Sequence, residues 1–169
     1  MSAGHVHQKA SVFLSLGFMV TCILTLDVTN VLYSIGSLIG IILTPDLDVD
    51  NGFIGNTIIR KRVGYFAEYI WDGVWYLYRR SLKHGSPLSH FPVISTLGRI
   101  FYIFFIFIVL PHSLFSFLFS PSWDLQYVLN WYWESIMSNT KIIFGLMCSD
   151  IIHWALDVCT TEHSPKKRA

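Results

Sequence analysis

The chain has 169 residues, of which 53% are hydrophobic, 16% aromatic and only 14% charged, with a formal net charge of +1. A soluble domain carries about 25% charged residues, so the composition excludes an ordinary soluble domain and points to an all-α, polytopic membrane bundle with one domain. The basic residues flank apolar runs and form no domain of their own, which excludes a nucleic-acid-binding module.

Taken in order, "SVFLSLGFMVTCILTL", Ser11 to Leu26, carries no charge and ends at Asp27. It lacks a small-residue cleavage site and is followed almost at once by another apolar run, so it reads as a span and not as a secretory signal. The second span is "VTNVLYSIGSLIGIILT", Val28 to Thr44, closed by Pro45, with Asp27 and the Asn30 region forming a tight hairpin between the two. "YFAEYIWDGVWYLYRRSLK" is aromatic but carries Glu68, Asp72, Arg79, Arg80 and Lys83, the pattern of an interfacial amphipathic helix. A third span covers Val93 to Leu110 and stops near Pro111. The stretch 112–139, broken by Pro121 and dotted with Trp, reads as a second interfacial segment. The fourth span is Thr140 to Cys159. The domain is then residues 1–160, followed by a polar basic tail, 161–169. Cys22, Cys148 and Cys159 match neither a zinc ribbon nor a disulfide framework; the two inside apolar runs read as small reduced hydrophobes.

Four spans put both termini on one face, together with Lys9, Arg60, Lys61, Arg62, Arg79, Arg80, Lys83, Lys166, Lys167 and Arg168. The positive-inside rule makes that face cytoplasmic, and the "KKR" tail suits anionic membrane lipid. The same topology collects potential ligands there: His5 and His7 before the first span, Asp46, Asp48 and Asp50 after the second, His84 and His90 before the third. Asp150, His153 and Asp157 lie in the cytoplasmic half of the fourth, within roughly 60° of one helical face at about 100° per residue. Ionisable groups inside a span cost about 2.5–3.5 kcal/mol each and mark a site or a pathway. Imidazole and carboxylate together suit a divalent metal, with zinc, manganese or iron preferred to calcium. The stretch "DLDVDNG" is no EF-hand, because Asn51 and Thr57 stand where that loop needs Gly and Glu.

The elements "PDLDVD", "HGSPLSH" followed by "PVISTLGRIFY", and "HWALD" resemble the bacterial and archaeal predicted metal-binding membrane proteins of unknown function. That resemblance covers nearly the whole chain. It matches Gly4 and His7 to an early motif, Asp46, Asp48 and Asp50 to a second, His84, Ser86, Ser89 and His90 to a third, and His153 and Asp157 to the last. Gln8 departs from the family's usual acid, and Gly85 from an Arg that would contact phosphate. The family is similar to inner-membrane metal-dependent hydrolases, and remotely to the zinc-dependent phospholipase C and nuclease group. It therefore implies hydrolysis, of a phosphoester or lipid-like substrate, in a bacterial or archaeal inner membrane.

On this reading His7, Asp46, Asp48, His84, His90, His153 and Asp157 hold one or two metals, and Asp50 or Asp150 serves as base or orients an imidazole. An amphiphilic small molecule would enter from the cytoplasmic interface. A phosphatidic-acid-type phosphatase also carries a late His-x-x-x-Asp, but its Lys/Arg-Pro and Pro-Ser-Gly-His motifs are missing here. A non-catalytic metal carrier, sensor or metal-stapled scaffold stays open, because a catalytic site differs from it only in keeping a coordination position free.

Overall fold

The computed structural model describes residues 4–48, 54–82, 86, 90–119 and 124–162, and every regular element among them is helical. Helix α1 (Gly4–Thr25) runs uncharged beyond Lys9. It ends where Leu26 takes a left-handed φ of 54°, and Asp27 then accepts from the Thr29 backbone N–H (2.9 Å) and hydroxyl (2.7 Å). These two bonds hold the Asp27 carboxyl below its ordinary range, the hydroxyl contributing most. A single 3-10 turn, Val28–Asn30, leads into α2 (Val31–Ile39).

Helix α2 packs most closely against the last helix, α8 (Thr140–Glu162). The reason is a small-residue dovetail. A Cβ on Gly36 would strike the Ile142 carbonyl, one on Gly40 the Ser149 side chain, and one on Gly145 the Tyr33 carbonyl. Small residues four apart on each helix let the backbones touch, as they do in membrane bundles. Serines complete the seam with α1: Ser11 shares a hydrogen bond with Ser149 (2.8 Å), and the Ser37 hydroxyl donates to the Ser11 carbonyl (2.9 Å).

The expected second span, Val28 to Thr44, is shorter than its apolar run. α2 stops at Ile39, residues 40–43 are turns, and Pro45–Asp48 form a 3-10 turn. Gly40 is a poor helix former, and the proline ring disfavours helical backbone at Thr44. Among the described residues three helices are long and apolar enough to cross a membrane, Val6–Thr25, Pro92–Phe115 and Thr140–Cys159, with Val28–Ile39 a shorter apolar helix. Of the four expected spans, three coincide with helices of membrane-crossing length and the second with this shorter apolar helix.

Helices α3 (Ile54–Val63) and α4 (Tyr65–Ser81) meet at Gly64, whose φ of 108° needs glycine. Trp75 and Tyr78 of α4 close over Leu47 as a buried core, and burial pushes the Tyr78 phenol up to about 12. Helix α5 (Pro92–Phe104) starts on proline at its first turn and does not stop near Pro111. It passes through a π turn, Phe105–Val109, into α6 (Leu110–Phe119). A proline inside a helix clashes with the carbonyl four residues back, here Phe107. The widened turn falls around that residue and lets the helix continue. Helix α7 (Leu125–Ser138) is capped by Asp124, which accepts from the backbone of Gln126 and Tyr127.

Candidate metal centre

Three stretches of chain converge where α2 has ended, α5 begins and α8 nears its C-terminus. In the Pro45–Asp48 turn, Leu47 is fully buried in the Trp75 core, which pins the backbone carrying Asp46 and Asp48. His90 stands two residues before α5. His153 and Asp157, at i and i+4, share one face of α8.

Asp46, His90, His153 and Asp157 each offer one donor atom, and the four atoms lie within 4.8 Å of one another. His153 Nε2 is 3.2 Å from Asp157 Oδ2 and 3.4 Å from Asp46 Oδ1, and His90 Nε2 is 3.9 Å from the same Asp46 oxygen. Charge-assisted hydrogen bonds are shorter, about 2.7–2.9 Å. Two ligand atoms bound at about 2.0–2.1 Å to a tetrahedral ion stand about 3.3 Å apart, the spacing seen around His153. That nitrogen is buried between the two carboxylates, where one ion could bridge all three groups.

Outer contacts orient both imidazoles. Thr44 Oγ1 lies 3.3 Å from His153 Nδ1, and Asp48 Oδ2 lies 3.6 Å from His90 Nδ1. The first is within hydrogen-bond distance and the second just beyond it, and both lie on the side of the ring away from Nε2. The described ion-pair partners of Asp46, Asp48 and Asp157 are all imidazoles. Burial raises the Asp46 carboxyl, but the neighbouring His153 outweighs it and holds Asp46 below its ordinary range.

The remaining expected site residues fall in different places. His7 of α1 stacks on His153, with ring centroids 3.8 Å apart and planes at 18°, and its Nε2 is 3.3 Å from Asp157 Oδ1. It flanks the four-residue cluster. Asp48 reaches the far nitrogen of His90 and is outside the four as well. Asp150 is on the same helix as His153 but bonds to Arg99 and to the Thr96 hydroxyl of α5. His84 and Asp50 lie outside the described residues. Thr44 escapes a reading of the sequence because a lone Thr before Pro carries no metal signal.

Residues 2–167 match the family described as "Uncharacterized metal-binding protein (DUF2227)". The chain belongs to that family. The family's metal-binding description and the Asp46, His90, His153, Asp157 cluster agree in kind: this is a metal-binding protein with a candidate His/Asp site. No curated protein and no solved structure matches the chain.

Proposed function

We propose that this DUF2227 member is a membrane-embedded, metal-dependent hydrolase acting on a phosphoester of an amphiphile at the cytoplasmic face. The observation that carries the reading is the donor set. Closed structural zinc sites are built largely on thiolates, whereas catalytic zinc is held mostly by imidazole and carboxylate. Here the cluster is two His and two Asp, with no cysteine among the four. The site is also reachable, since the Asp46 and Asp157 side chains are each 23% exposed. A divalent ion there, zinc in the first instance and manganese or iron otherwise, supplies Lewis acidity and lowers the pKa of a bound water to about 7. The chain's own part is to hold Nε2 of His90 and His153 inward through Asp48 and Thr44.

Embedding in lipid is supported by where the apolar residues face. Only 11%, 22% and 28% of the three span-length windows are buried, so Phe13, Leu24 and Phe115 present their side chains outward. Such surfaces need lipid or a partner. The clustering of Lys and Arg in the sequence supports a cytoplasmic placement of both termini and residues 46–90, with residues 1–160 forming one metal-binding unit in a bacterial or archaeal cell membrane.

A second reading, a metal-stapled scaffold, is favoured by the count of donors: four protein ligands already complete a tetrahedron. Purified protein in detergent, loaded with zinc or manganese and screened against lipid and model phosphoesters, separates the two. The hydrolase gives turnover that a chelator abolishes and Asp46→Ala removes. The scaffold binds metal with no turnover.

A further inference from the structure

The Arg99–Asp150 pair is the most deeply buried pair of opposite charges described, with side chains 0% and 1% exposed. It lies outside the metal cluster. Thr96 and Arg99, one turn apart on α5, both donate to the same Oδ2 of Asp150 on α8. The satisfaction is incomplete: Arg99 Nε and Nη1 and Asp150 Oδ1 have no hydrogen-bond partner among the described residues. A buried ion pair is a poor source of stability, because removing two charges from water offsets most of their attraction, and apolar residues of similar size commonly serve as well. What such a pair does supply is register, since sliding a helix by one residue turns its side chains about 100°.

Register matters here because the two helices carry the ligands. His90 is two residues ahead of α5, whose first residue Pro92 has a fixed φ. His153 and Asp157 follow Asp150 by three and seven residues on one face of α8. Two donors from α5 meeting one oxygen from α8 fix both the rotation and the translation between these helices. We infer that Arg99 and Asp150 are positioning residues for the metal centre, clamping α5 to α8 so that His90 meets His153 and Asp157 at coordinating distance. The inference rests on metal binding and is independent of hydrolysis.

The test replaces both charges, Arg99→Met with Asp150→Leu, in full-length protein in detergent. Zinc affinity is measured by competition with a chromophoric chelator, and melting is measured on the metal-free protein. A purely structural pair gives melting and affinity that change together or not at all. The clamp gives metal-free melting equal to or above that of the original chain, with zinc Kd weakened about tenfold or more. A Kd within about twofold of the original overturns the inference. If the double variant does not fold, Thr96→Val removes one of the two donors, together with the Thr96 hydroxyl's contact to the Pro92 carbonyl (2.7 Å), and leaves the charges. Its Kd is then expected to weaken about threefold or more at unchanged metal-free melting, and an unchanged Kd overturns the inference.

Discussion

At Asp72 a carboxylate oxygen accepts from Arg79 Nη1 and from Asn56 Nδ2, each at 2.9 Å, and Arg79 Nη2 binds the Asp72 carbonyl at the same distance. At Asp46 and Asp157 the described partners are imidazole nitrogens at 3.2–3.9 Å. The first carboxylate is neutralised by a guanidinium that the chain itself supplies, in good hydrogen-bond geometry. In the second group, carboxylates gather around imidazole rings at spacings that one ion could bridge. Like charges in a low-dielectric pocket repel, and a bound cation would relieve that repulsion.

Removing a ligand breaks the contrast most severely. His153→Ala or Asp157→Ala is expected to weaken zinc binding by more than about 100-fold, beyond the range seen for outer contacts. The chelator-sensitive part of thermal stability, about 2.7 kcal/mol at metal 100 times its Kd, should vanish with it. Metal analysis and melting with and without chelator check both. Asp72→Ala should do the opposite. Losing the acceptor for Arg79 and Asn56 is expected to cost about 1–3 kcal/mol, while metal content and the chelator response stay unchanged.

A third perturbation separates the buried core from the metal by pH. The Tyr78 phenol is raised from about 10 to about 12 by burial, so its neutral form is the one the fold accepts. Stability is full below pH 10, the unfolded value, and is lost as pH rises from 10 toward 12. Unfolding in denaturant across this window should show a loss of roughly 2–3 kcal/mol that Tyr78→Phe largely removes.

The pairing of His153 with Asp157 was legible in the sequence because i, i+4 on a helix fixes a shared face. Asp46 and His90 were legible as neighbours of the site through the expected topology alone, since turns at one end of a helical bundle lie close together. The order of contact was not. Asp48 has the same chemistry as Asp46, and only the orientation of a 3-10 turn anchored at Leu47 decides which oxygen is inner and which lies behind His90. Asp150 reads as part of the His153 face, and nothing local reveals that Arg99, some fifty residues earlier, claims it. Helix ends were misjudged for a related reason. Hydropathy does not mark where Gly40 ends α2, and Pro111 looks like a stop until a π turn has taken up its clash.

The glycine dovetail between α2 and α8 also bears on the order in which the protein is made. Gly36 and Gly40 are made first, and the surface that fits them, from Ile142 to Ser149, follows more than a hundred residues later. At about 5–20 residues per second, the α1–α2 hairpin waits several seconds with its small-residue face uncovered. Asp46 waits with it for His153 and Asp157. The four candidate ligands therefore meet only after α8 has been made and has packed against α2.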